Sequence, residues 1–116
     1  MKTSQDPRHK RRQRLVQELF SYTFHSQPIS EDTKLVLDNQ ATLDEKIQKA
    51  APDFPLEKIN KIDLAILRLA SFELLIEKKE PKNVIIDEAV ELAKEFGNDT
   101  SPAFVNGVLG HIVTHG

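Results

Sequence analysis

The residues with the clearest chemical potential are basic and crowd the start of the chain. Residues 1–14 hold six lysines and arginines and one acidic residue, which gives them a net charge of +5. The remaining residues hold ten basic and seventeen acidic side chains, a net charge of −7, so the net charge of the whole chain is −2. Arginine suits phosphate because its planar fork matches phosphate oxygens. Such a segment could bind an external polyanion or dock on the acidic remainder of its own chain, and charge alone leaves both open. The basic residues are Lys2, Arg8, Lys10, Arg11, Arg12 and Arg14.

Catalytic and metal chemistry have weaker support in the sequence. Asp87, Glu88 and Glu91 could form an acid/base or metal cluster, but acids in the early turns of a helix usually form a solvated face. His111 and His115 are four residues apart, yet no further histidine or cysteine ligand follows them. We therefore expect no catalytic residues, no metal site and no cofactor, and a protein that is not an enzyme.

Composition indicates one globular domain. The 116 residues are 39% hydrophobic and 29% charged, which is enough for a single modest core. No apolar run approaches the roughly 18 residues of a membrane span, and no apolar segment follows the basic start as in a signal peptide. Because the chain has no cysteine, disulfide and thiolate chemistry are excluded. These features predict a cytoplasmic protein without membrane contact.

Helical spacing of apolar residues runs through nearly the whole chain. The pattern predicts an all-α bundle of about six helices, without repeats. Thr42 and Glu45 have the spacing of a capping box for the third helix. The fourth helix is apolar on several sides, which is typical of a central helix. Ser101 and Pro102 open the last helix and place Phe104 in its first turn, where we expect it to be partly exposed. The helices are predicted to start near residues 7, 30, 42, 56, 83 and 101, and the fourth to continue to about 77.

Three arginines project onto the core-facing stripe of the first helix. At about 100° per residue, Arg8, Arg11 and Arg12 lie on the line of Leu15 and Leu19, one or two turns earlier. Burying three unpaired arginines is costly, so the helix is expected to run past the edge of the body or to line an open groove. Their charge then meets either carboxylates of the body or the phosphates of a ligand.

Two phenylalanines of the first helix lie off that stripe. Phe20 and Phe24 are roughly 100° or more from its centre, beside Gln13 and Gln17. Either the first helix is covered on two sides, or an aromatic flank is kept for a partner.

Three ordered segments, INKIDLAILRLASFELL, NVIIDEAVELAKEFG and SPAFVNGVLG, resemble the NusB family. The resemblance extends from about Arg8 to Ile112 and is densest over residues 62–109. It implies a small all-α protein that binds the boxA element of nascent RNA together with NusE, a protein that also belongs to the small ribosomal subunit. In that family the complex helps RNA polymerase read through terminators, notably during rRNA transcription. Residues 1–116 would then form one RNA-binding helical domain, with 1–7 a flexible basic arm.

The resemblance also implies roles for individual residues. The RNA-contacting residues would be Lys10, Arg11, Arg12 and Phe104, and the stripe geometry adds Arg8. Phe20 and Asp63 match family positions that face NusE, and a carboxylate there suits a basic ribosomal protein.

The chain departs from the family pattern in three places, one of which is Pro102-Ala103 in place of a more polar pair. The stretch between the first helix and INKID is short for the family, and Gly110 stands where an acid usually follows FVNGVL. Two other interpretations remain open: the RNA-binding domain of an rRNA cytosine methyltransferase, and a helical module that binds only proteins.

Overall fold

The computed structural model describes residues 6–115, and all regular secondary structure in that range is helical. The predicted all-α bundle of six helices is confirmed. The helices are α1 Pro7–Tyr22, α2 Glu31–Asp38, α3 Gln40–Ala50, α4 Lys61–Phe72, α5 Lys82–Phe96 and α6 Ser101–His115. A 3-10 turn, Leu56–Lys58, precedes α4, and a π-helical turn, Glu73–Glu77, follows it.

The start of α1 has a regular cap. The Asp6 carboxylate accepts a hydrogen bond of 2.9 Å from the backbone N–H of Arg8, and Pro7 occupies the first helical position. Asp6 and Pro7 therefore belong to the helix start rather than to a flexible arm. The rest of the predicted arm, residues 1–5, lies outside the described residues.

Two predicted helix boundaries are wrong. The α3 helix begins at Gln40, directly after the end of α2, so Thr42 lies inside the helix and forms no capping box. The predicted helix over 56–77 is divided, because the Asn60 side chain caps α4 by accepting from the Ile62 N–H at 3.0 Å. The π-helical turn ends at Lys78, whose φ of 56° is left-handed.

The centre of the bundle is α4. Its residues 63–72 are all buried, and it contacts α1, α3, α5 and α6. A helix that is apolar on nearly every side must be surrounded, and the sequence predicted this position. Leu15, Val16 and Leu19 of α1 are among the residues that pack in this core. The first helix is thus fixed along its second half by apolar contacts.

Among residues 6–115, none of the helices has the length and apolar character needed to cross a membrane.

Candidate nucleic-acid interface

Arg12 is buried, with 3% of its surface exposed. Its guanidinium donates to Glu73 at 2.9 and 2.6 Å, to Glu80 at 2.7 Å and to Glu88 at 3.4 Å. Burial alone would lower the pKa of Arg12, but the hydrogen bond and charge of Glu73, helped by Glu80, hold it above its ordinary value. Arg12 does not lie at an open edge, because carboxylates from the π-helical turn, the following loop and α5 surround it. With Arg8 it lines a surface groove, which was the other arrangement expected.

His9 is buried beside Arg12, with 2% of its surface exposed. Its Nδ1 lies 2.9 Å from Glu88 Oε1, and its Nε2 lies 2.9 Å from Glu95 Oε2. No pattern in the sequence singles out His9, since a lone histidine in a basic run has no distinctive spacing. These side chains form a cluster that we call the buried ionic cluster after its centre, since His9, Arg12, Glu73 and Glu88 are buried, while Glu80 is half-buried and Glu95 exposed.

The other cations of α1 reach solvent. The Arg8 side chain is 70% exposed, with guanidinium nitrogens 3.7 Å from Asp6 and 3.8 Å from Glu80. Lys10 is exposed. The half-buried Arg11 donates from Nε to Asp32 at 3.1 Å. Arg8 and Arg11 therefore lie at the edge of the helical body and reach solvent, as predicted for the start of the first helix.

A continuous basic flank results from helical geometry. Lys10, Arg11 and Arg14 fall within about 100° of one another around the α1 axis, on the side away from His9 and Arg12. The Arg14 side chain is 50% exposed and lies 3.6 Å from Glu18. We call Lys10, Arg11 and Arg14 the basic flank, with Arg8 at its N-terminal end. Its charges are accessible to a polyanion.

Phe104 lies at a second exposed position. It is half-buried in the first turn of α6 and packs against the edge of the core, as expected. Its ring makes an edge-to-face contact with Phe54, with centroids 5.3 Å apart. Part of an aromatic pair is thus presented at the surface.

The two off-stripe phenylalanines of α1 differ in environment. Phe20 is half-buried against the core, whereas Phe24 is 60% exposed. Their rings meet edge to face at 5.0 Å. Phe20 also lines a surface groove with Ile62 and Phe96. The first alternative is therefore confirmed in part, because Phe20 covers a second side of α1; Phe24 stays exposed, and its use by a partner stays a prediction.

Asp63 is buried, with 5% of its surface exposed, and Oδ1 has no hydrogen-bond partner among the described residues. Burial raises the pKa of Asp63 above its ordinary value, and a hydrogen bond with Ser101 only partly opposes this. The start of α6 covers Asp63, so its side chain is not open to solvent, and its role in partner binding stays a prediction. The chain before α6 is close-packed as well: a Cβ on Gly97 would lie 2.4 Å from Ser101 Oγ.

Two of the candidate acids, Glu88 and Glu91, have separate partners. Glu88 belongs to the buried ionic cluster, while Glu91 lies 3.3 Å from Lys94. The rings of His111 and His115 stack at 4.1 Å. No group of three or more histidine, cysteine or acidic side chains is placed to hold a metal within residues 6–115.

The comparisons with known proteins match members of one family. The model of the NusB family matches residues 2–114. Transcription antitermination protein NusB of Chloroflexus aggregans is 52% identical over 79 residues, covering 66% of this chain and 53% of that protein. Its namesake from Clostridium tetani is 51% identical over 79 residues, covering 68% and 52%. The chain therefore spans about half the length of these relatives. The solved structure of T. maritima NusB matches with a TM-score of 0.81 and 30% identity, covering 99% of this chain and 94% of that one.

Arg12 should contribute far more to the stability of the fold than an exposed arginine does. We expect Arg12→Ala to lower the free energy of unfolding by about 3–5 kcal/mol, because it leaves buried carboxylates without their cation. Arg14→Ala removes an exposed pair and should cost less than about 1 kcal/mol. Urea denaturation of both variants checks this. Equal losses would mean that Arg12 contributes no more than a surface charge.

Asp63 should make the protein less stable as pH rises through the folded pKa of this carboxyl group. Its folded pKa is raised, so the folded state holds this proton more tightly, and the stabilisation is lost as pH rises through the folded value. Asp63→Asn should therefore be more stable than the parent at neutral pH, with the advantage shrinking towards the ordinary aspartate pKa of 3.8. Urea denaturation across that range measures it, with exposed Asp99→Asn as the control. An advantage independent of pH would contradict the raised pKa.

Proposed function

The chain belongs to the NusB family, and we propose that it is a transcription antitermination factor that binds boxA-type RNA of nascent rRNA transcripts. In this proposal it acts together with NusE and promotes read-through by RNA polymerase. The relatives are named as transcription antitermination proteins rather than as enzymes. The proposal treats the chain as one RNA-binding domain that acts in the cytoplasm, where transcription takes place.

The observation that carries the proposal is the division of charge on α1. His9 and Arg12 are bound inside the buried ionic cluster, so they fix the rotation of the helix about its axis. With that rotation set, Lys10, Arg11 and Arg14 must lie on the outer side. RNA phosphates need such accessible cations, and phosphate contacts dominate the affinity of proteins for nucleic acids.

The exposed cations are already partly neutralised by the protein. Arg11 is held by Asp32 at 3.1 Å, and its Nη2 lies 4.0 Å from Glu77. A phosphate that binds Arg11 has to replace or share these carboxylates, which reduces the net gain for each contact. Selective binding then depends on base contacts beside the electrostatic ones. Phe104 supplies one in this proposal, because the exposed part of its half-buried ring can stack on an unpaired base.

NusE is proposed to bind around Phe20 and Asp63. Phe20 supplies a half-exposed ring beside an apolar groove, which is a common anchor for a protein partner. The unpartnered Oδ1 of Asp63 suits a cation from a basic ribosomal protein, provided that the start of α6 yields slightly. Arg12, in contrast, is proposed to position the RNA-binding residues without touching RNA.

RNA binding should depend on salt through the basic flank. If Arg8, Lys10, Arg11 and Arg14 each engage one phosphate, the logarithm of affinity falls with the logarithm of salt at a slope of about −2.8. Replacing both Lys10 and Arg11 with alanine should weaken binding of single-stranded boxA-type RNA and reduce the slope to about −1.4. Fluorescence anisotropy at several salt concentrations measures this. Lys34→Ala, on the side of α2 opposite Asp32, is the control, and a slope unchanged in the double variant would reject the basic flank.

Partner binding should depend on Phe20. Phe20→Ala is expected to weaken the affinity for purified NusE at least about fivefold, since an aromatic anchor at an interface typically contributes more than 1 kcal/mol. Calorimetry checks this, with circular dichroism to verify folding. The control is Leu35→Ala, because Leu35 is an exposed apolar residue of α2. If Phe20→Ala and the control bind NusE equally well, the partner surface lies elsewhere.

A further inference from the structure

A second aromatic side chain meets Phe104 at the surface. Phe54 comes from the loop between α3 and the 3-10 turn, and half of its surface is exposed. Its ring lies against that of Phe104, with an interplanar angle of 69°. Phe54 stands between Asp53 and Pro55 and is one of the exposed large apolar side chains among the described residues. The contact with Phe104 accounts for only part of its surface.

The loop that carries Phe54 is held firmly. The side-chain amide of Gln48 donates to the carbonyls of Ala51 at 3.1 Å and Phe54 at 2.8 Å, while its oxygen accepts from the Leu56 N–H at 3.1 Å. The Phe54 N–H also donates to the Ala51 carbonyl at 3.0 Å. A ring on a fixed backbone loses little conformational entropy when a ligand binds. The loop therefore presents Phe54 in a preorganised position.

Space is available beside the ring pair. Gly107 lies three residues after Phe104, on the same flank of α6. A Cβ built on Gly107 would meet nothing within 4 Å, so the helix surface next to the rings is open. Gly107 itself thus adds no side chain that a flat group against the aromatic pair would have to displace.

We propose that Phe54 is a second base-stacking residue, which forms with Phe104 a two-ring platform for unpaired bases of RNA. This inference rests on the proposed function, because Phe104 is its link to the RNA surface. An unpaired base is the occupant that fits: stacking needs only a ring and open space, whereas an apolar peptide helix needs a hydrophobic groove. Phe54 would thus add affinity and selectivity for single strands without adding charge.

The test uses a single tryptophan, since the chain has none of its own. Phe54→Trp should show indole fluorescence that is quenched when short single-stranded boxA-type RNA is added, because a base stacks on the ring. Phe54→Leu keeps apolar contact with Phe104 but removes the ring. It should weaken RNA affinity roughly 5- to 150-fold, the equivalent of one lost base–aromatic stack. Its salt dependence should equal that of the parent, because no phosphate contact is lost.

The matched controls are Phe24→Trp and Phe24→Leu, which alter another exposed ring that meets a phenylalanine edge to face. They should show neither quenching nor loss of RNA affinity. If the parent protein binds RNA while Phe54→Leu binds equally well and Phe54→Trp is not quenched, the platform is overturned and the proposed function stands. If the parent itself fails to bind RNA, both are overturned.

Discussion

The arrangement of the whole molecule depends on the burial of one guanidinium. An arginine can leave water only if carboxylates replace its hydration, and Arg12 finds three of them. Glu73 belongs to the π-helical turn after α4, Glu80 to the next loop and Glu88 to α5. By binding these three carboxylates, Arg12 fixes the N-terminal, polar end of α1 against α4 and α5. Leu15 and Leu19 fix the second half of α1 through apolar contacts. The π-helical turn keeps Glu73 buried and directed at Arg12, an example of a local helix irregularity at a critical site.

Fixing α1 in this way separates its charges into two groups with different roles. The two inward side chains, His9 and Arg12, are bound by carboxylates inside the protein and contribute to the fold. The outward group remains available, but Asp32 and Glu18 partly neutralise it. This balance explains how a chain with a net charge of −2 can present a surface for an anionic ligand. The basic start thus anchors α1 inside the protein and also presents cations to solvent.

The sequence predicted the fold well because helical periodicity is local information. It placed α4 at the centre and identified the arginine stripe. It could not predict which arginine is buried, because the acids that hold Arg12 lie 61 to 76 residues away along the chain. His9 gave no signal for the same reason. The Thr42–Glu45 spacing was misleading because Asn39 already joins α2 to α3 without a loop, and the burial of Asp63 depends on how α6 packs. Phe54 belongs to a loop whose form is set by Gln48, a contact that periodicity cannot reveal.

The most direct test of this account compares two arginines one residue apart. The side-chain Nε–H signals of Arg11 and Arg12 can be followed by nuclear magnetic resonance while single-stranded boxA-type RNA is added. The account predicts that the Arg11 signal shifts as phosphate replaces Asp32, while the Arg12 signal stays in place because Glu73 continues to hold it. A stationary Arg11 signal, or an Arg12 signal that moves as far as that of Arg11, would contradict the division of α1 into an internal anchor and an external RNA-binding flank.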